Sequence, residues 1–249
     1  YAACFRVMVE ISKQLGKDGN VYRQEYEKLT AAIEKFFWDE EKGAYIDSFT
    51  SGKRNVTRHA NIFAILFDIA DKQKQEKILT NVLENDEIPA ITTPYFNFFE
   101  LDVLCQMGKL TEVLDKIRSY WGGMLDLGAV TFWEEYDPSV PKEEQYDMYG
   151  DHFGKSLCHA WAASPIYFLA KYFAGLDLVN KDGVTYVLKP QMQYFTDLDC
   201  TLPVGSDGTV RLAWDGECLE VTADAEGGVL ELGEEKISLV RGETRRVKI

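Results

Sequence analysis

The spacing of apolar residues changes once along this chain, and that change limits the available folds more than any other feature. Up to about residue 173 apolar side chains recur every three to four positions, as a helix burying one face requires. From Val184 onward they alternate with polar ones, the pattern of half-buried strands. Between the two regimes, Gly175 to Gly183 is rich in Asp, Asn, Lys and Gly. The expected class is α+β multi-domain: a helical part over 1–178, then a small antiparallel β-sandwich, jelly-roll-like, over 179–249.

The helical part reads as pairs. Cys4, Phe5, Met8, Val9, Ile11 and Leu15 share one face of a helix that stops at a Gly-rich turn, and a second helix spans about Val21 to Trp38. A short hairpin is expected over Glu40 to Asp47. Ala60–Ala70 with Gln73–Leu83, and Tyr95–Met107 with Leu110–Tyr120, make two more pairs, separated by a loop that Pro89 and Pro94 bracket. After a long loop, Trp121 to Gly154, a last helix is expected over Lys155–Phe173. Helix pairs linked by aromatic-rich loops describe a helical-hairpin array. The strands are expected near 184–188, 209–214, 218–222, 229–232 and 245–249, with turns at Gly205-Ser206-Asp207-Gly208, Asp215-Gly216-Glu217 and Glu226-Gly227-Gly228.

Charge narrows the partners. With 27 Lys and Arg against 41 Asp and Glu, the formal net charge of −14 disfavours nucleic acid and anionic membrane surfaces. The most apolar stretch, Ala160 to Leu178, is interrupted by Lys171, Asp177 and a proline, too often for a bilayer span. Five cysteines, odd in number and without a C-x-x-C, indicate neither a disulfide framework nor a zinc site, and most are expected to be buried thiols. The chain opens at Tyr1 already in helical periodicity, which reads as a fragment of something longer. A Gly-rich phosphate loop, a Gly-x-Ser-x-Gly elbow and a His-Glu-x-x-His helix are all missing.

What remains for chemistry is carboxylates and aromatics. They concentrate in Trp121-Gly122-Gly123-Met124 and Thr131-Phe132-Trp133-Glu134-Glu135-Tyr136-Asp137. A pyranose suits such a set: its C–H faces stack on rings, and its hydroxyls are held by ionised carboxylates. Glycoside hydrolysis further requires two carboxyl groups, about 6.5–9.5 Å apart for inversion and about 5–5.5 Å for retention. Glu134 is the candidate for one of them. The competing reading makes Trp133 a core plug, Glu134, Glu135 and Asp137 solvated charges, His159 and His59 structural histidines, and Tyr95-Phe96-Asn97-Phe98-Phe99 core packing with one ring at a loop rim.

The stretch Thr131-Phe132-Trp133-Glu134-Glu135-Tyr136-Asp137, followed by Ser156-Leu157-Cys158-His159, resembles the T-x-W-E-x-W-D loop and S-x-x-H helix start of the bacterial α-L-rhamnosidases. Trp121-Gly122-Gly123-Met124 is similar to the family's S-W-G-x-M segment, and Thr93-Pro94-Tyr95-Phe96 stands at its T-G-x-x segment. Lys189-Pro190 and Gly208-Thr209-Val210 with Trp214 resemble the family's C-terminal β-module. The resemblance covers nearly the whole chain. It implies an (α/α)6 six-hairpin toroid, of which the seven helices expected here are about the second half of twelve. It also implies inverting hydrolysis of terminal α-L-rhamnosyl residues, with Glu134 as general base and His159, Trp121, Trp133, Tyr95 and Tyr136 contacting substrate.

Departures accompany the match. Tyr136 stands where the family has Trp, Glu135 where it often has Arg, and Cys158 where Asn is common. The Asp-rich, Arg-containing loop that carries the general acid has no counterpart in these 249 residues. The acid is therefore expected upstream, the remainder of the same catalytic domain becomes an obligate partner, and the fragment alone is expected to be inactive. Other six-hairpin activities, an α-fucosidase or an uronide hydrolase, stay open, although only Arg58 and Arg118 offer cations for a uronide. A non-catalytic carbohydrate-binding module is the rival from another class. No cofactor and no metal is expected. The partner is a rhamnose-containing oligosaccharide or glycoside, with no nucleic acid and no membrane, and polysaccharide breakdown favours the periplasm or the cell exterior over the cytoplasm.

Overall fold

The computed structural model describes residues 1–181, 183–206 and 208–248. Asp207 of the first expected turn, Asp182 of the expected boundary and Ile249 of the last expected strand lie outside the described residues. The chain divides into two compact units, Tyr1–Val103 and Leu104–Ile249.

In the first unit, α1 (Ala2–Gln14) and α2 (Asn20–Phe37) pack together, with the Phe5 and Tyr22 rings stacked 6.4 Å apart. The expected hairpin follows as β1 (Trp38–Asp39) and β2 (Ala44–Tyr45), an antiparallel pair. Asn61 ties this hairpin to α3 (Arg58–Leu66). Fully buried, it accepts from the Tyr45 N–H at 2.8 Å and donates to the carbonyls of Tyr45 and Thr57 at 2.9 Å. A buried amide with three of its bonds made in this way fixes the register of helix against hairpin. Asp71 caps α4 (Lys72–Ile78) by accepting from the Lys74 N–H, and a π-helical turn, Leu79–Leu83, continues it. α5 (Pro94–Gln106) carries the aromatic run, and the unit boundary falls inside it.

Arg58 is not a cation available to a sugar. It is 7% exposed, and its guanidinium donates to the carbonyls of Leu83, Asn85 and Ile88 and, at 3.0 Å, to Glu100 Oε1. Glu100 itself is 2% exposed. This arrangement holds the loop after the π-turn.

In the second unit, α6 (Leu110–Lys116) runs through a π-turn, Ile117–Trp121, into α7 (Gly122–Asp126), so helical structure enters the stretch expected to be loop. The last helix begins later than its apolar pattern predicts. A short 3-10 turn, Ala160–Ala162, precedes α8 (Ser164–Phe168), with Pro165 in its first turn, and a π-turn closes at Phe173. Residues 155–159 are not helical, and the Ser156 carbonyl and the His159 N–H bond instead to Glu134 and Phe132.

Two four-stranded sheets follow, ordered β10-β7-β6-β5 and β3-β4-β8-β9. Their strands are β3 (Leu176–Lys181), β4 (Val184–Leu188), β5 (Leu198–Val204), β6 (Gly208–Trp214), β7 (Cys218–Ala223), β8 (Gly228–Leu232), β9 (Glu235–Leu239) and β10 (Thr244–Lys248). Tyr186, Leu188 and Leu230 of one sheet share a core with Val210, Leu212, Leu219 and Val221 of the other. The arrangement is not wholly antiparallel, since β4 and β8 pair in parallel. Three strands escaped the sequence reading. β3 lies in the presumed linker and bulges against β4. β5 carries Pro203, which its place at a sheet edge tolerates, and β9 is the other sheet's edge. The cysteines also differ from expectation: Cys105 is buried, Cys200 and Cys218 are half-buried, and Cys4 and Cys158 are exposed.

Candidate active site

Glu134 and His159 come together because the two irregular segments that carry them are joined by backbone hydrogen bonds. The Glu134 N–H donates to the Ser156 carbonyl at 2.9 Å, and the His159 N–H to the Phe132 carbonyl at 2.8 Å. The Thr131 hydroxyl bonds to the Leu157 carbonyl as well. These bonds turn a long sequence separation into adjacency. They also explain the late start of the last helix, whose would-be first turn spends its backbone groups here.

The intervening residues fold back in steps. Gln145, 2% exposed, donates from Nε2 to the carbonyls of Asp137 and Val140 at 2.6 and 2.8 Å. Met148 and Asp151 exchange backbone bonds at 2.9 Å across a tight turn. The ring of Tyr146 meets Trp133 edge-on at 5.7 Å, and the backbone of Lys155 returns to the Tyr146 carbonyl at 3.2 Å.

The Glu134 side chain is half-buried. Its Oε2 accepts the Ser156 N–H at 3.1 Å, and its Oε1 accepts the Tyr149 hydroxyl at 2.9 Å. Burial pushes its pKa upward, but these two bonds, with the charges of His159 and Lys155, outweigh burial and hold the carboxyl below its ordinary value. Lys155 is 8% exposed, with its Nζ 3.9 Å from Glu135 Oε2. Burial pushes its ammonium below the usual lysine range, against the pull of Glu135, Asp137, Asp147 and Glu134. The result is a carboxylate that is ionised at neutral pH and held from two sides, the protonation state in which it can accept a proton, while the same bonds make it a weaker base than a free carboxylate.

The aromatic candidates are more deeply placed than a stacking platform requires. Trp133 is 3% exposed against Tyr146. Tyr136 is also buried, its ring 5.5 Å from Tyr120. A Cβ on Gly123 would fall 2.4 Å from the Tyr136 hydroxyl, so only glycine permits this approach. Trp121 donates from Nε1 to the Ala162 carbonyl at 2.8 Å and lines a cavity of about 230 Å³ with Met124, Leu125, Ala129, Val130, Thr131 and Phe132. Trp161, which no motif singled out, is exposed, its ring 6.0 Å from that of His159. Tyr95 belongs to the first unit, where its half-exposed ring meets Phe96 and Phe99 edge-on. His59 packs against Phe96 at 4.5 Å in that unit.

Tyr149, Lys155 and the Ser156 N–H were missed by sequence reasoning. The Tyr149-Gly150 pair signals a turn, but nothing in the sequence says which residue that turn faces. Among the described residues, no group of three or more His, Cys, Asp or Glu is placed to hold a metal ion, and no helix is long and apolar enough to cross a membrane.

No curated protein matches the chain. Among solved structures, a rhamnosidase from Klebsiella oxytoca with rhamnose bound is 29% identical with a TM-score of 0.59, over 69% of this chain and 32% of that one. A GH78 family rhamnosidase of Bacillus sp. GL1 is 23% identical with a TM-score of 0.73, over 94% and 25%. A Streptomyces avermitilis α-L-rhamnosidase complexed with L-rhamnose is 16% identical with a TM-score of 0.64, over 92% and 22%. The chain thus spans a third or less of the length of these structures. Residues 1–173 match the bacterial alpha-L-rhamnosidase six-hairpin glycosidase domain, and the chain belongs to that family.

Proposed function

We propose that this chain is part of a glycoside hydrolase that releases terminal α-L-rhamnosyl residues with inversion, Glu134 serving as general base. The observation that carries the reading is the Glu134 carboxylate. It is kept ionised by the Ser156 N–H and the Tyr149 hydroxyl beside His159, at the positions where the chain resembles its family's base and substrate-contacting histidine. In this reading Glu134 takes a proton from a water as that water attacks the anomeric carbon. The general acid, supplied from outside these 249 residues, protonates the departing oxygen.

His159 and Trp121 are the sugar contacts beside Glu134, while Trp133 and Tyr136 support the base-bearing segment from beneath. Residues 1–178 form part of an (α/α)6 toroid, and 179–249 a separate β-domain. The test is hydrolysis of an aryl α-L-rhamnoside by the full-length enzyme, with the product anomer followed by NMR. Release of β-L-rhamnose supports inversion. Release of the α-anomer removes Glu134 from the role of general base.

A further inference from the structure

The loop between the two segments is shaped around one contact. Met148, Tyr149, Gly150 and Asp151 form a two-residue hairpin turn in which both central residues have left-handed backbone, φ +55° at Tyr149 and +81° at Gly150. Asn, Asp or Gly fills the first such position with least strain, and a tyrosine there is disfavoured. Strain of this kind persists where the surroundings enforce it, and it concentrates at working sites.

The surroundings do enforce it. The ends of the turn are closed by the mutual Met148 and Asp151 bonds. Its underside is held by Gly154, where a Cβ would fall 2.2 Å from the Met148 carbonyl oxygen. Its base is clamped through Tyr146, stacked on Phe153 and set edge-on against Trp133. The product is a tyrosine that is 82% exposed and therefore adds little to packing, while its hydroxyl sits 2.9 Å from Glu134 Oε1.

We propose that Tyr149 is a positioning residue, whose hydroxyl fixes the orientation of the Glu134 carboxylate and sets the lower pH limit of turnover. The proposal rests on Glu134 being the base. The charged and titratable groups around Glu134 are Tyr149 on the turn, Lys155 and His159 on the facing segment, and Glu135 on its own. Asp137 and Asp147 act on it through Lys155, and Asp147 is paired with His152. Of these, only Tyr149 donates a side-chain hydrogen bond to the carboxylate, with the Ser156 N–H as the backbone donor. A bond to the ionised form favours it, so losing the hydroxyl makes Glu134 easier to protonate. The base acts only when ionised, so the acid limb of the rate profile must then move to higher pH.

The experiment is the pH dependence of kcat and kcat/KM on an aryl α-L-rhamnoside for the full-length enzyme and its Tyr149→Phe, Tyr149→Ala and Glu134→Gln variants. Tyr149→Phe is expected to raise the acid limb by about 0.5–1 pH unit. It is also expected to lower the plateau kcat about tenfold with KM changed less than about twofold. Tyr149→Ala is expected to match the limb shift, because the hydroxyl and not the ring is the acting group. An unmoved limb in both tyrosine variants, with Glu134→Gln inactive, overturns the positioning role and leaves the base standing. A raised KM with an unmoved limb makes Tyr149 a substrate contact and overturns it as well. Near-normal turnover in Glu134→Gln removes the base, and the proposal with it.

Discussion

Arg58 in the first unit and Glu134 in the second are both charged groups drawn away from water, and they are treated in opposite ways. Arg58 directs its guanidinium at three carbonyls and a buried carboxylate, and almost none of it reaches solvent. Glu134 is held by two donors, one per oxygen, and stays half-open, so each oxygen keeps a lone pair for a ligand or a water. A charge whose bonds are all made internally can only hold the fold. One fixed but incompletely saturated can hold an orientation and still react.

The sharpest way to break this contrast is Glu134→Gln in the full-length enzyme. Turnover is expected to fall about 10²–10⁴-fold with the melting temperature at pH 7 lowered only slightly. A large loss of stability instead would put Glu134 in the same class as Arg58. The converse test is Arg58→Met, expected to cost about 3–5 kcal/mol in urea unfolding because it leaves Glu100 buried without its cation. Adding Glu100→Leu should recover part of that loss. If Arg58→Met lowers kcat without destabilising, the contrast fails from the other side.

Gly123→Ala comes next, at about 1–3 kcal/mol, since the new methyl meets the Tyr136 ring beneath the base-bearing segment. The added Tyr136→Phe, which removes the nearest atom, should relieve some of it. The smallest effect is a pH dependence. Glu134 has its folded pKa below the unfolded value of about 4.3, so its stabilisation is fully present above that value and fades as pH falls through the folded one. The stability difference between the wild type and Glu134→Gln should therefore shrink between pH 7 and pH 3. A constant difference would mean that the carboxylate's bonds do not favour its ionised form.

The same contrast shows how far sequence reasoning reaches. Helix pairs and the later strands were legible because burial of one face imposes a period, and that period survives in the order of residues. β5 does alternate, from Leu198 to Val204, but Pro203 argues against a strand unless its edge position is known; β9 is short and opens on two charged residues, and the parallel pairing of β4 with β8 leaves no local trace. The apolar pattern carries the last helix back to Lys155, whereas the backbone there bonds to residues 132 and 134. At the site, the Trp133-Glu134 and Ser156 to His159 motifs were readable as a pair through family resemblance. Trp133 and Tyr136 looked like sugar platforms, and the fold buries both.

The sequence by itself determined that helices give way to strands, that the chain carries a strong negative charge, and which carboxylate and histidine merit attention. Each of these depends on residue identity and short-range period. Only the tertiary structure decided that Glu134 meets Tyr149 and Ser156, that Lys155 is buried beside Glu135, and that Arg58 serves as an internal clamp. The first two outcomes depend on how a loop of some twenty residues returns upon itself, and the third on how Arg58 meets the carbonyls of residues 83–88; both are set largely by bonds to backbone groups, which carry almost no residue identity.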